Sequence, residues 1–191
     1  MLPRLRTTDA LIIVDVQNDF CPGGALPIEE GDRVVPVLNR WLEAARKAGA
    51  RIVATRDWHP AGHVSFHERG GPWPAHCVQG SRGAELRSDL KLPKDFLLVS
   101  KGTLPDRDDY SDFEMTGLAE ELKKYGVRRV WIGGLAQDVC VRATVLDALK
   151  KGFEVHLIKD ATRPVNAVAG VRAIHEMRAA GCVIDEEQCH V

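Results

Sequence analysis

Short apolar runs rich in β-branched residues recur along this chain, and segments with helical periodicity separate them. The runs are 9–16 (DALIIVDV), 51–55 (RIVAT), 95–100 (DFLLVS), 128–132 (RRVWI), 154–158 (EVHLI) and 182–184 (CVI). Continuous apolar runs of this length suit strands buried on both faces. Between them, 32–48 places Val35, Leu38, Leu42 and Ala45 on one helical face, with Pro36 in the first turns, where proline is tolerated. Further helices are expected over 82–90, 116–125, 138–151 and 166–180. Strands joined through helices need crossover connections, which are right-handed and leave the sheet covered on both faces. The expected fold is α/β: three α/β/α layers around a mostly parallel six-stranded sheet, Rossmann-like, as one domain over 1–191.

Composition narrows the function. Twenty-six basic and 27 acidic residues are dispersed and leave a formal charge of −1, which argues against a nucleic-acid binder. No apolar stretch exceeds strand length, so no membrane span is expected. Five cysteines at irregular spacing make no disulfide framework, and no signal peptide is evident. A reducing, cytoplasmic setting is expected.

In such sheets ligands bind at the carboxyl ends of the strands. Asp15 closes the first strand, Asp57 and His59 follow the second, Lys101 closes the third and Cys140 follows the fourth, so all belong on one edge. Cys140 lies in WIGGLAQDVCVR (131–142), where a strand breaks at Gly133-Gly134 and a helix restarts near Asp138, an acceptable N-cap. Free N–H groups and the dipole of a helix start favour thiolate and receive an oxyanion. The competing reading is a small packing residue. Asp15, Lys101 and Cys140 make a nucleophilic set of base, ammonium and thiol. Taken singly, Asp15 reads as well as a turn residue and Lys101 as an exposed charge.

The irregular stretch 56–80 is dense in His, Trp, Pro and Gly, and long irregular segments in compact domains are usually functional or disordered. Its aromatic and histidine content argues for order. Asp57, His59, His63 and His76 suit a borderline divalent metal, and three protein ligands leave positions open for substrate. His63 and His67 each read equally as ligand, substrate contact or solvent-facing residue, and a polar loop with incidental histidines is the plain alternative. Phe20 and Trp73 either stack on a flat heteroaromatic ligand or anchor their loops. Cys21, Cys77, Cys182 and Cys189 read as structural or incidental, and the Cys189-His190 tail is too short to define a metal site.

DVQNDFCPGG (15–24), TRDWHPAGHVSF (55–66), GPWPAHCVQG (71–80), SKG (100–102) and GLAQDVCVRATVLDAL (134–149) together resemble the nicotinamidases, among the isochorismatase-like cysteine hydrolases. The resemblance covers nearly the whole chain. It implies that Asp15, Lys101 and Cys140 act as a triad, and that Asp57, His59 and His76 hold one divalent ion, zinc before iron or manganese. His63 would stand near that ion as a fourth ligand or through water. It also implies that Phe20 and Trp73 sandwich a pyridine ring. A cis peptide before Ala136 would turn the Ala136 and Cys140 N–H groups into an oxyanion hole. The implied activity is hydrolysis of nicotinamide to nicotinate and ammonia through a Cys thioester, in pyridine-nucleotide salvage, by a possible homo-oligomer.

Gln137 stands where threonine is common, His67 is an extra imidazole, and the 103–112 loop has no clear match. Three other readings stay open: a hydrolase of another small amide or carbamoyl compound, or an isochorismatase; a metal-water hydrolase with Cys140 as bystander; and a non-enzymatic binding domain. Isochorismatase activity does not call for Asp57-x-His59 with His76.

Overall fold

Strands and helices alternate as the apolar runs predict. The structure, a computed structural model, describes residues 4–186, so the Cys189-His190 tail lies outside the described residues. In chain order come β1 (Asp9–Val14), α1 (Val34–Ala48), β2 (Arg51–Asp57), β3 (Leu97–Lys101) and α2 (Leu118–Lys124). They are followed by β4 (Arg129–Leu135), α3 (Arg142–Lys150), β5 (Glu154–Arg163), α4 (Ala167–Ala179) and β6 (Val183–Asp185). The sheet runs β3-β2-β1-β4-β5-β6 and every pairing is parallel. Strand order therefore reverses between β1 and β4. The crevice outside their carboxyl ends is where such sheets bind ligands.

Leu11, Ile13 and Trp131 point to one face of the sheet, where Val34, Val35, Leu38, Trp41 and Leu42 of α1 cover them. Ala10, Ile12, Val14, Val130 and Ile132 point to the other, under α2, α3 and α4. Every residue of β1 is buried, as a central parallel strand requires. No helix among the described residues is long and apolar enough to cross a membrane.

The helix expected over 82–90 is only a 3-10 turn, Arg82–Ala84, with Ser81 as its cap. Long-range pairing overrides local propensity here. Arg87 N–H donates to Val16 C=O at 2.9 Å and Asn18 N–H to Glu85 C=O at 3.0 Å, which holds 85–87 extended against the end of β1. The whole β2–β3 connection thus takes the place of a crossover helix, and its Cys77, Ala84 and Leu90 pack into the α1 side of the core.

Gly133-Gly134, expected to break β4, lies within it. Gly134 pairs with Val14 at φ +129°, and a Cβ there would sit 2.1 Å from the Val14 carbonyl oxygen. This close approach joins the two halves of the sheet just below the site. Gly134→Ala should therefore cost about 3 kcal/mol through backbone clash and strained φ. In a protein of this size that corresponds to a Tm lower by roughly 10 °C, and an unchanged Tm would remove the constraint.

Candidate active site

β1 ends at Val14, and Asp15 leaves it with φ +48°, a left-handed conformation that costs a non-glycine residue roughly 1 kcal/mol. The turn is held by long-range bonds. Thr55 Oγ1 accepts from Asp15 N–H (3.2 Å) and donates to Asp15 Oδ1 (2.7 Å). Gln17 binds Asp57 at both backbone groups, accepting from its N–H and donating to its C=O, each at 2.8 Å. Asp15 and Asp57 are thereby set side by side at the ends of neighbouring strands.

Lys101, the last residue of β3, lies between them with its side chain fully buried. Its ammonium donates to Asp15 Oδ2 at 2.5 Å and to Asp57 Oδ1, and its Nζ is 3.6 Å from Cys140 Sγ. Burial alone would lower the Lys101 pKa, but the charges of Asp15 and Asp57 hold it well above the usual lysine value. Burial would raise Asp57, yet the Lys101 ammonium outweighs that and keeps it ionised below the ordinary carboxylate range. Burial raises Asp15, with Lys101 opposing and Asp57 adding to the shift.

Cys140 corrects two expectations. Gln137–Val141 is a π-helical turn, and α3 proper starts at Arg142. Asp138 does not cap its own helix, since its carboxylate accepts from Val165 N–H (2.8 Å) and Asn166 N–H (3.0 Å) ahead of α4. Nor does the helix start by itself favour a thiolate. Burial pushes the Cys140 thiol well above its usual range, Lys101 opposes, and the charges of Asp57 and Asp15 add to the rise. The Leu135–Ala136 peptide is cis, as the resemblance implies. Gln137 ties the turn down, donating from Nε2 to Gly170 C=O (3.0 Å) and accepting at Oε1 from Thr162 Oγ1 (2.9 Å).

The second set converges on the other oxygen of Asp57. His59 Nε2 is 3.6 Å and His76 Nε2 4.0 Å from Asp57 Oδ2. Each imidazole faces a backbone carbonyl with Nδ1, His59 at Gly102 (3.0 Å) and His76 at Pro74 (2.7 Å). A carbonyl only accepts, so Nδ1 carries a proton and Nε2 is the atom turned toward Asp57. That is the orientation of metal-ligating histidine. Ligand atoms of Asp57, His59 and His76 lie within 4.8 Å of one another, and all three residues are buried. The donors fit a divalent ion of the zinc class. Gly102 permits the approach, because a Cβ there would lie 2.4 Å from His59 Cε1.

His63 is outside this set although its ring lies against His59, with centroids 4.1 Å apart. Its Nε2 donates to Arg107 C=O (2.8 Å) and its Nδ1 accepts from Ser65 N–H (3.2 Å), which leaves no lone pair for a metal. His67 is exposed and bonded to Pro72 C=O.

Phe20, Trp73, Tyr110, Val139 and Val165 wall a narrow cleft that reaches Asp57, His76, Ala136 and Cys140. Tyr110 braces Trp73, accepting its indole N–H at 3.1 Å. Sequence reasoning missed Tyr110, Thr55 and Gln17. The first lies in the unmatched 103–112 loop, and the others resemble ordinary strand and loop polar residues.

A family profile described as isochorismatase domain matches residues 9–188. The nicotinamidase of Escherichia coli (strain K12) is 39% identical over 198 residues, which cover 92% of this chain and 93% of that protein. A crystal structure of the pyrazinamidase of Pyrococcus horikoshii in complex with zinc superposes with a TM-score of 0.91. It shares 52% identity and covers 94% of this chain and 99% of that one. That of PnC1 from L. infantum in complex with nicotinate gives a TM-score of 0.89 at 39% identity, covering 97% and 96%.

The Asp/His set and the nucleophile set are one network, because Asp57 belongs to both. Asp57→Asn should shift the pH dependence of Cys140 alkylation by iodoacetamide to lower pH, since it removes a charge that raises the thiol. His76→Ala should leave that dependence in place, although both variants should hold zinc poorly. Alkylation profiles of the chelated variants, with zinc content measured separately, test this. Equal profiles for the two would mean that Asp57 does not couple the sets.

Proposed function

The chain belongs to the isochorismatase family, and on that premise we propose that it is an amidohydrolase converting nicotinamide to nicotinate and ammonia, in pyridine-nucleotide salvage. The observation that carries the reading is a single aromatic-walled cleft meeting both the Asp15–Lys101–Cys140 cluster and the Asp57–His59–His76 donor set. The likeness to nicotinamidases and to a nicotinate-bound structure supports the same substrate here.

Because burial and the charges of Asp57 and Asp15 disfavour a thiolate at Cys140, attack needs a base. An oxygen of Asp15 lies within 4.8 Å of Cys140 Sγ and takes that role. As Asp15 accepts the thiol proton, the sulfur adds to the carboxamide carbon and the carbonyl oxygen gains the charge. The Ala136 and Cys140 N–H groups receive it, and such donors are typically worth ~10²–10³ in rate. Asp15 then returns the proton to the amine nitrogen, the C–N bond breaks, and ammonia leaves a thioester. A water molecule, deprotonated by Asp15, adds to the thioester carbon. The C–S bond breaks, the sulfur recovers its proton from Asp15, and the product departs as the acid, ionising to nicotinate as it gives its proton to water or to the released ammonia.

Lys101 favours the anionic forms of Asp15 and Cys140 throughout. Phe20 and the Tyr110-braced Trp73 hold the ring flat and fix the carboxamide relative to sulfur. Asp57, His59 and His76 would hold a divalent ion, zinc before iron or manganese, which supplies a Lewis-acid contact for the ring nitrogen.

Purified, zinc-supplemented protein should release ammonia from nicotinamide and pyrazinamide and far less from aliphatic amides. Cys140→Ala should lose at least ~10³-fold in turnover while keeping its zinc. Intact-mass measurement during turnover should show a nicotinoyl adduct on Cys140. Ammonia release only from other amides would move the substrate assignment, and turnover by Cys140→Ala would move the chemistry away from sulfur.

A further inference from the structure

Lys101 has a third acidic neighbour that the mechanism above does not use. Asp112 lies in the β3–α2 connection with no solvent exposure, and neither of its carboxyl oxygens has a hydrogen-bond partner. Its backbone is fixed: its N–H donates to Thr144 Oγ1 at 3.0 Å and its C=O accepts from Thr116 Oγ1 at 2.5 Å. Its Oδ1 is 4.0 Å from Lys101 Nζ.

An ammonium has three N–H groups, and those of Lys101 are directed to Asp15, Asp57 and the Cys140 sulfur. Thr55 also faces Asp112, but its hydroxyl proton is given to Asp15. The groups around Asp112 are thus Asp15 after β1, Thr55 and Asp57 on β2, Lys101 on β3, Cys140 on the π turn and Thr144 on α3. Three carboxylates about one ammonium would leave excess negative charge in a dry interior, and the carboxyl with no donor is the one to carry a proton.

We propose that Asp112 is a positioning residue, a neutral carboxylic acid packed against Lys101 that leaves the ammonium to Asp15 and Asp57 and so keeps Asp15 the base that faces Cys140. The proposal rests on the amidase reading for Asp15 and Cys140, while the neutrality of Asp112 does not. Burial, with the Asp15 charge behind it, holds the Asp112 carboxyl well above the usual carboxylate range, consistent with that state.

The test uses zinc-saturated Asp112→Asn and Asp112→Ala beside the parent. A group whose folded pKa is raised costs the folded state more as pH rises from its unfolded value toward the folded one. The folding constant of either variant relative to the parent should therefore rise from pH 5 upward, by about tenfold per pH unit while the parent's Asp112 stays protonated. Both variants remove the same proton, so the slope survives any packing loss in Asp112→Ala. A flat ratio for both would mean that Asp112 is ionised when folded, and would overturn the proposal.

Asp112→Asn, which imitates the neutral acid, should keep kcat and the pH 7 alkylation rate of Cys140 within about twofold of the parent. Asp112→Ala should lose at least fivefold in kcat with KM and zinc content unchanged. Equal kcat for Asp112→Ala and parent, or several-fold faster alkylation in Asp112→Asn, would remove the positioning role. If the parent hydrolyses no amide, the amidase reading and the positioning role fall together, while the pH slope still decides the state of Asp112.

Discussion

One ammonium organises this molecule's chemistry. Lys101 is withdrawn from water and bonded to Asp15 and Asp57, with the Cys140 sulfur beside it. A buried charge of this kind is tolerated only with its partners in place, and breaking such a set costs about 3–5 kcal/mol. Its positions follow from strand order: Asp15, Asp57 and Lys101 stand at or just past the carboxyl ends of three adjacent strands, β1, β2 and β3. Cys140 arrives from β4, across the point where the order reverses. The same ammonium that binds Asp15 also fixes one oxygen of Asp57, which leaves the other to face His59 and His76. The Asp15–Lys101–Cys140 cluster and the Asp57–His59–His76 donor set therefore share a carboxylate, and a change at one is felt at the other.

The irregular β2–β3 connection lets a single domain hold both sets. A helix in its place would have covered the sheet as well, but it would have spent its carbonyls on its own ladder. Here the Pro74 carbonyl orients His76, while that of Gly102, just past β3, orients His59. Extended segments also seal the turn after β1, through Arg87 and Glu85. Irregular backbone is thus put to use as a set of fixed acceptors.

Much of this was legible in the sequence where the signal is local or repetitive. Buried parallel strands announce themselves as continuous apolar runs, so the sheet and its active edge could be placed from 9–16, 51–55 and 128–132. The density of histidine in 56–80 marked the donor set. What failed did so because distant groups decide it. The dipole logic for Cys140 considered only its own turn, whereas topology buries the sulfur and brings Asp57 and Asp15 to it. His63 reads as a possible ligand until its Nε2 is seen donating to the carbonyl of Arg107, far along the chain. Gly133-Gly134 reads as a strand break until Val14 is seen filling the space where a side chain would go. The loop holding Asp112 and Tyr110 gave little away, because nothing local says that it dips beneath α3 and over the cleft.

The reversal of strand order divides the chain into two halves of three strands each. Asp15, Asp57, His59, His76 and Lys101 all belong to the half made first, and the second contributes the sulfur and the turn that presents it. β1 and β4 form the seam, paired along six residues from Asp9↔Arg129 to Val14↔Gly134. Residues 103–107, which link the halves, are exposed. During synthesis the two carboxylates, the ammonium and the imidazoles can therefore come together before the sulfur is made, and it joins them only when β4 docks. The complete cluster is in this sense a late property of the chain, present only once the seam has closed.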